Sequence, residues 1–353
     1  MVAERVVNPE LKPIRVLVVD DSATVRAVLA RNLDASPGIE VVGRANDGLE
    51  AIEAIKQLRP DVVTLDIEMP RLDGLAALER IMQECPTRVV MVSTLTRQGA
   101  EATLRALDLG AVDFIEKPTG AGTLAALDIA AEVAEKVRGA AAARIGKRTV
   151  SRGPGSLTTS MGTRSWRKGI VVIGSSTGGP PALREVISHL PADLGLPVVV
   201  VQHMPPGFTK SMAERLNGAS PLRVVEAEEG ARLQVGTVLI APGGMHLTID
   251  THREVHLNQD PPECGVRPSV NVTMESVVRV FGSNVVSAVL TGMGNDGTRG
   301  AGLIRAAGGI VITEDESTCV VYGMPRSVFE AGHSSDVKPL HQVADAIVQH
   351  SLV

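Results

Sequence analysis

The stretch VVIGSSTGGPP, Val171 to Pro181, decides how the second half of the chain is interpreted. An apolar run stops at a glycine, two serines and a threonine follow, and two more glycines and two prolines come next. An apolar run that ends in a glycine-rich turn before proline is typical of a strand, a tight turn and the first turn of a helix. The stretch therefore predicts a strand–turn–helix unit whose turn carries serine hydroxyls.

The turn itself allows several interpretations. Gly174 to Gly178 fit the pattern G-x-S-x-G of a nucleophile on a sharp turn, with Ser176 at the apex and Ser175 on its flank. A phosphate-binding loop is disfavoured because Pro180 stands where the Walker lysine would be, and the sequence lacks the dinucleotide pattern G-x-G-x-x-G. Ser176 is thus a candidate nucleophile, and a tight turn without chemistry is the alternative.

A nucleophilic serine needs a base, and the base needs an orienting group. His203 ends the predicted strand PVVVVQH, and Asp296 lies in the glycine-rich loop after the strand VVSAVLTG. His246 is the second candidate for the base, and an aspartate that only caps the following helix is the alternative interpretation of Asp296. The chain order Ser, His, Asp differs from the Ser, Asp, His order of α/β-hydrolases, which disfavours an ordinary lipase or esterase.

Both halves of the chain alternate short apolar strands with helical patterns. This alternation predicts parallel sheets with helices on both faces. Residues 14–139 contain five such strands. Residues 168–353 predict a doubly wound, mostly parallel α/β domain with an antiparallel hairpin at HLTIDTHREVHLN. Residues 1–13 are predicted to be an extension, and residues 140–167, rich in Ala, Gly, Ser and Thr, a linker.

Polar residues lie at four strand ends of the first domain. Because parallel strands end at one edge of the sheet, these residues are expected to meet there. They are Asp20, Asp21, Asp66, Ser93 and Lys117. Neighbouring carboxylates repel unless a cation joins them, and their hard oxygen ligands suit Mg²⁺. The lysine and the serine suit a transferred phosphoryl group. Solvated aspartates at loop starts are the alternative.

The first domain, through VVDDS, LDIEMPRLDG, Ser93 and EKP, resembles the receiver domain of bacterial response regulators, a flavodoxin-like fold. The resemblance implies that Asp66 accepts a phosphoryl group from a histidine kinase, and that a cis peptide bond precedes Pro118. The Mg²⁺ ligands that it implies are Asp20, Asp21, Asp66 and the backbone carbonyl of Glu68. The switch residues that it implies are Ser93, Phe114 and Lys117.

The second domain resembles the catalytic domain of chemotaxis protein-glutamate methylesterases through IGSSTGGPPAL, VQHMPPGFTKSMAERLN, APGGMH, RPSVNV, LTGMGNDGTRGAGLIRAAGG and CVVYGMPR. The resemblance implies a triad of Ser176, His203 and Asp296, an oxyanion held by backbone groups near Met293, and a pocket that includes Thr177. It implies no cofactor in this domain. The implied substrates are glutamate methyl esters, with some glutamines, on methyl-accepting chemoreceptors. Phosphorylation of the receiver is expected to activate this hydrolysis.

Composition argues against several other classes of partner. A net charge of −5 and an aromatic content of 2% disfavour a nucleic-acid binder. No apolar run approaches the roughly 20 residues of a membrane helix, so a cytoplasmic protein is expected. Three scattered cysteines form no CxxC pair and predict no zinc site. A phosphorylation-dependent interaction module without catalysis and a DNA-binding regulator are the rival functions. The complete Ser, His, Asp set and the lack of a basic recognition element disfavour them.

Overall fold

Valine, isoleucine and leucine fill the buried strands of both halves of the chain, and each half folds around its own parallel sheet. The computed structural model describes residues 12–94, 96–117, 123–144, 165–166 and 168–353. These residues form two compact units. Most of the predicted extension and linker, and the predicted cis bond before Pro118, lie outside the described residues, so the predicted domain boundaries stay predictions. Among the described helices, none is long and apolar enough to cross a membrane.

The first unit is a five-stranded parallel sheet in the order β2-β1-β3-β4-β5. This order confirms the prediction of a flavodoxin-like domain, whose switch point lies between β1 and β3. Its strands are β1 (Ile14–Val19), β2 (Ile39–Ala45), β3 (Val62–Asp66), β4 (Arg88–Ser93) and β5 (Asp113–Glu116). Helices α1 (Ala23–Asp34), α2 (Gly48–Leu58), α3 (Gly74–Glu84) and α5 (Thr123–Ala142) belong to this unit. Helix α4 (Arg97–Leu109) lies between β4 and β5 in the chain.

The second unit is built on a seven-stranded parallel sheet, which confirms the predicted α/β class. Its strands are β6 (Ile170–Ser175), β7 (Val198–Gln202), β8 (Arg223–Glu226), β9 (Thr237–Ile240), β12 (Val285–Val289), β13 (Ile310–Glu314) and β14 (Asp336–Lys338). They lie in the order β14-β13-β12-β6-β7-β9-β8. The helices are α6 (Gly179–His189), α7 (Phe208–Asn217), α8 (Val270–Phe281), α9 (Thr298–Ala306), α10 (Met324–Glu330) and α11 (Leu340–Ser351).

The predicted antiparallel hairpin is present, and it forms a two-stranded sheet of its own. Its strands are β10 (His246–Ile249) and β11 (Val255–Asn258). Leu247, Ile249 and Val255 are buried in the cluster of apolar side chains that also packs against β6 and β7. The hairpin therefore packs against the core of the second unit but is not part of its parallel sheet.

The central strands of the second sheet are β12, β6 and β7, and every residue in them is buried. Strand β6 pairs with β7 on one side and with β12 on the other. Ser175 lies opposite Gln202 in the β6–β7 register, so the next residues along the two strands, Ser176 and His203, leave the sheet side by side. The predicted nucleophile and base thus lie next to each other at the carboxyl edge of the sheet.

Helix α8 crosses close to the end of β6, and Gly174 makes this approach feasible. A Cβ atom added to Gly174 would lie 2.6 Å from Cγ1 of Val270, the first residue of α8. Carbon atoms do not approach so closely, so either the strand or Val270 would have to shift. A glycine at this position therefore sets the distance between the central strand and α8.

We predict that Gly174→Ala destabilises the second unit by about 1–3 kcal/mol, because the added methyl group overpacks the contact with Val270. The measurement is urea unfolding. Gly218→Ala is the matched control: the nearest atom to its added Cβ is 3.6 Å away, and its free energy of unfolding should change by less than about 1 kcal/mol. Equal effects of the two substitutions would contradict the packing argument.

Candidate active site

Ser176 lies directly after β6 and is the more accessible of the two serines in the turn. Its N–H donates to the carbonyl of Thr291 at 3.0 Å, and helix α6 begins three residues later. Its side chain is half-buried, whereas Ser175 is fully buried and its hydroxyl donates to the side chain of Gln202. The geometry thus distinguishes the two hydroxyls, and Ser176 carries the one that a substrate can reach.

His203, the predicted base, contacts Asp296. His203 Nε2 lies 2.8 Å from Asp296 Oδ2. With the Nε2 proton donated to the carboxylate, Nδ1 is the ring nitrogen left to accept a proton. Between Ser176 Oγ and His203, both described, there is no hydrogen bond; in unliganded active sites such bonds are often long. The chain therefore brings base and carboxylate into contact, with the serine on the adjacent strand end.

The carboxylate of Asp296 lies at the N-terminus of α8, where backbone N–H groups are free to donate. Val270 N donates to Oδ2 at 2.6 Å, and Asn271 N donates to Oδ1 at 3.0 Å. Ser269 Oγ and Gly297 N each donate to Oδ1 at 2.9 Å. The alternative interpretation, an aspartate that only caps α9, does not describe this arrangement, because Asp296 accepts mainly from α8.

Two opposing effects act on the pKa of Asp296. Burial raises it, and the hydrogen bond and charge of His203, together with the backbone donors of Asn271 and Val270, lower it. The net effect holds the pKa of Asp296 below its ordinary value. The carboxylate is therefore ionised at neutral pH, and it can fix the tautomer of His203 and stabilise its protonated form.

His246, the second candidate for the base, is not available for that role. It is 1% exposed, and both ring nitrogens are occupied. Nδ1 accepts from Ser269 N at 3.2 Å, and Nε2 lies 3.2 Å from the carbonyl of Pro261. His246 instead supports the residue that precedes α8.

The loop that contains Met293 lies against the serine. A Cβ atom added to Gly292 would lie 2.8 Å from Ser176 Cβ, so this glycine lets the loop approach the serine closely. For the N–H of Met293, no hydrogen-bond acceptor is found among the described residues. Thr177 is buried, and its carbonyl accepts from Thr291 Oγ1 at 2.9 Å. Both predicted pocket residues therefore neighbour Ser176.

The sequence reasoning missed the residues of α8 that hold Asp296. Ser269 caps this helix, accepting from Val272 N at 3.4 Å, and Asn271 donates its backbone N–H to the carboxylate. A signal was present, because a serine directly before a run with helical spacing is a helix-start pattern. That pattern predicts a helix, but it cannot indicate that the helix points at a residue 26 positions later.

The receiver residues also meet at one sheet edge. Lys117 Nζ lies 2.7 Å from Asp66 Oδ2 and 3.2 Å from Asp20 Oδ2. Asp20 and Asp66 are buried, whereas Asp21 is exposed. Burial raises the pKa of Asp66 to about 6; the hydrogen bond from Lys117 lowers it, and the charge of Asp20 raises it further. Two buried carboxylates thus share one ammonium group.

The carboxylates at this edge fit a divalent cation. One oxygen of each of Asp20, Asp21 and Asp66 lies within 4.8 Å of the others. Asp20 Oδ2 is buried and, despite its closeness to Lys117, makes no hydrogen bond among the described residues. Mg²⁺ is bound by hard oxygen ligands. A buried carboxylate oxygen that accepts no hydrogen bond is suited to serve as one of them. Glu68, whose carbonyl the resemblance assigns to the ion, is exposed and follows Asp66 by two residues.

Of the predicted switch residues, Lys117 contacts these carboxylates and Ser93 ends the strand next to β3, whereas Phe114 lies within β5. Ser93 ends β4 and is buried, with its hydroxyl 3.4 Å from the carbonyl of Thr94. Phe114 is buried in β5, and Lys136 Nζ lies 5.6 Å from the centre of its ring. Lys117 N donates to the carbonyl of Ser93 at 2.6 Å. The ends of β4 and β5 are therefore joined directly beside Asp66.

Comparisons with known proteins match both units. The family described as "CheB methylesterase" matches residues 171–347, and the family "Response regulator receiver domain" matches residues 16–127. A "Protein-glutamate methylesterase/protein-glutamine glutaminase" of Symbiobacterium thermophilum is 52% identical, over 96% of this chain and 97% of its own. A Thermotoga maritima protein of the same name is 46% identical, over 95% and 98%. The crystal structure of the Thermotoga maritima CheB methylesterase catalytic domain is 46% identical, with a TM-score of 0.50, covering 51% of this chain and 97% of that one.

We predict that Asp296→Asn lowers the free energy of unfolding at pH 7 by about 3–5 kcal/mol, because it leaves buried donors without their ionised acceptor. Since the folded pKa of Asp296 is depressed below the unfolded value of 3.8, the stabilisation is present above that value. This stabilisation is lost as the pH falls through the folded pKa. The difference in the free energy of unfolding between the wild type and Asp296→Asn should therefore become smaller at low pH. Urea unfolding at pH 7 and pH 3 measures this.

The control for this experiment is Asp345→Asn, at an exposed position of α11. It should change the free energy of unfolding by less than about 0.5 kcal/mol at either pH. A difference between wild type and Asp296→Asn that stays constant with pH would contradict the role of the ionised carboxylate.

Proposed function

The chain belongs to the protein-glutamate methylesterase family, with an N-terminal receiver domain, and from this premise we propose how its residues perform the reaction. The proposed substrate is a γ-glutamyl methyl ester on the cytoplasmic domain of a methyl-accepting chemoreceptor, so the protein acts in the cytoplasm. The observation that carries the proposal is the 2.8 Å contact of His203 with Asp296 beside Ser176. A histidine with a fixed carboxylate partner at a serine-bearing turn is the machinery of acyl transfer.

In the first step, Ser176 Oγ attacks the ester carbonyl while its proton passes to Nδ1 of His203. Asp296 accepts the Nε2 proton in a hydrogen bond, and its negative charge stabilises the imidazolium that forms. The C–O bond to the methoxy group then breaks, and His203 returns the proton to the departing methanol. The product is an ester between Ser176 and the glutamyl side chain.

The second step reverses these roles with water. His203 takes a proton from water, which attacks the acyl carbon, and the bond to Ser176 Oγ breaks as the proton returns to the serine. The receptor side chain is released as glutamate. A glutamine amide reacts through the same acyl intermediate, with ammonia leaving in place of methanol, which accounts for the second activity in the relatives' name.

The tetrahedral intermediates carry a negative oxygen that needs donors. The N–H of Met293 supports this role, because it neighbours Ser176 and no acceptor occupies it among the described residues. The loss of one such donor typically costs about 2.7–4 kcal/mol of transition-state stabilisation. The N-terminus of α6, which starts after Thr177 and Gly178, adds a favourable field at the same place.

The receiver regulates this reaction in our proposal. A histidine kinase supplies the phosphoryl group, which Asp66 accepts. Mg²⁺ held by Asp20, Asp21, Asp66 and the carbonyl of Glu68 would neutralise the charge of the phosphoryl oxygens. Lys117 then pairs with a phosphoryl oxygen, and Ser93 donates a hydrogen bond to another. Phe114 on the neighbouring strand responds to that rearrangement.

We predict that Ser176→Ala lowers the rate of methanol release from methylated receptor membranes by about 10⁴-fold or more, because it removes the nucleophile. Ser175→Ala is the matched control, since it deletes a buried hydroxyl from the same turn. It should retain turnover well above the Ser176→Ala level. An inactive Ser175→Ala beside an active Ser176→Ala would refute the assignment, and no methanol from the wild type would favour a non-catalytic interaction module.

Phosphorylation should raise the rate of methanol release. With acetyl phosphate and Mg²⁺ we expect an increase of about 5- to 150-fold, the range of a typical coupling between two sites. Asp66→Asn and excess EDTA should each abolish the increase, whereas Asp34→Asn, at the exposed end of α1, should leave it intact. Activation that persists in Asp66→Asn would contradict the proposed phosphorylation site.

A further inference from the structure

Gln202 joins the strand that carries the serine to the strand that carries the histidine. It is the last residue of β7, its side chain is 2% exposed, and it lies opposite Ser175 in the sheet register. Its amide nitrogen donates to the carbonyl of Ser176 at 3.0 Å and to the carbonyl of His203 at 2.9 Å. Its amide oxygen accepts from Ser175 Oγ at 2.7 Å. One side chain therefore contacts the backbone of both residues.

We infer that Gln202 is a positioning residue that sets the separation and orientation of Ser176 and His203, and that Ser175 anchors it. This inference rests on the proposed function for the identity of nucleophile and base. Ser176 and His203 follow the last paired residues of β6 and β7. The last backbone hydrogen bond between the two strands runs from His203 N to the carbonyl of Ser175, at 3.1 Å. The Gln202 amide adds two hydrogen bonds beyond this last backbone pair.

The orientation of the amide is determined by its partners. The carbonyl groups of Ser176 and His203 can only accept, and an NH₂ group offers two protons, whereas the oxygen of the amide can only accept. With the oxygen toward Ser175 Oγ, every group of the amide has a partner. No other uncharged side chain of this length supplies two donors and one acceptor, so neither Met nor Glu can replace all three bonds.

The turn leaves room for this amide through Gly179. A Cβ atom at Gly179 would lie 1.9 Å from Gln202 Oε1 and 2.9 Å from Ser175 Oγ. Gly179 N donates to the carbonyl of Ser176 at 2.7 Å, so that carbonyl accepts two bonds and is fixed from both sides. Gly179 thus serves the Gln202 contact as well as the turn itself.

The test uses the full-length protein with acetyl phosphate and Mg²⁺. Three variants are compared with wild type: Gln202→Met, Gln202→Glu and the control Ser287→Ala. Ser287 is a buried residue of β12 whose hydroxyl donates to the carbonyl of Ile310, away from the serine and histidine. The measurements are the rate at which a fluorophosphonate labels Ser176, kcat and KM for methanol release, and the melting temperature.

We expect Gln202→Met to lower the labelling rate and kcat together by about 10- to 100-fold, because small displacements of reacting groups have effects of this size. KM should be unchanged, since the side chain does not touch the substrate. Ser287→Ala should label at the wild-type rate. A Gln202→Met protein that labels at the wild-type rate, or losses that follow the melting temperature alone in all variants, would overturn the inference.

Gln202→Glu gives a readout that a merely structural residue would not give. An ionised carboxylate cannot donate to either carbonyl and repels both, whereas its protonated form can donate to one. The labelling rate of Gln202→Glu relative to wild type should therefore rise as the pH falls; a ratio that is constant with pH would overturn the inference. If the wild type is labelled at Ser176 but releases no methanol, the proposed function fails, and the labelling rates still decide the role of Gln202.

Discussion

The pairing of β6 with β7 on one side and β12 on the other is the constraint on which the candidate active site depends. Parallel strands end at a common edge, so the residues that follow them emerge together. The register that sets Ser175 opposite Gln202 makes Ser176 and His203 neighbours, and the loop after β12 brings Asp296 to the same edge. Three residues far apart in sequence thus meet without any long loop that would have to be ordered.

Helix α8 contributes the electrostatic part of the site. Its first N–H groups and Ser269 donate to Asp296, so the carboxylate remains ionised although it is buried. The contact with this carboxylate orients the ring of His203. In the proposed mechanism, that orientation leaves Nδ1 as the atom that takes the proton from Ser176. Helix α8 thus orients Asp296, and Asp296 orients His203. A buried network of hydrogen bonds provides orientation in this way. In the receiver, one ammonium group, that of Lys117, lies between two buried carboxylates and offsets only part of their charge.

Much of the fold and the residues around both sites could be predicted from local patterns. Apolar strands with polar ends predicted that Asp20, Asp66 and Lys117 meet at one edge of the first sheet. The glycine-rich turn predicted that Ser176 lies at a sharp turn after a strand. The strands β8 and β14 escaped prediction because they are short, partly exposed edge strands without an apolar run. The contacts of Ser269 with Asp296 and of Gln202 with Ser175 each span 27 residues. No local pattern encodes such contacts, because they arise only when the sheet order is known.

The proposed mechanism requires a covalent ester between Ser176 and the receptor side chain, and capturing this ester is its sharpest test. A methylated cytoplasmic fragment of a chemoreceptor is mixed with the phosphorylated protein, quenched in acid within the first turnover and analysed by mass spectrometry after digestion. We expect a species in which a receptor peptide, less the mass of methanol, is joined to the peptide that contains Ser176. A burst of methanol with no such species, or with the receptor peptide joined to another residue, would contradict it.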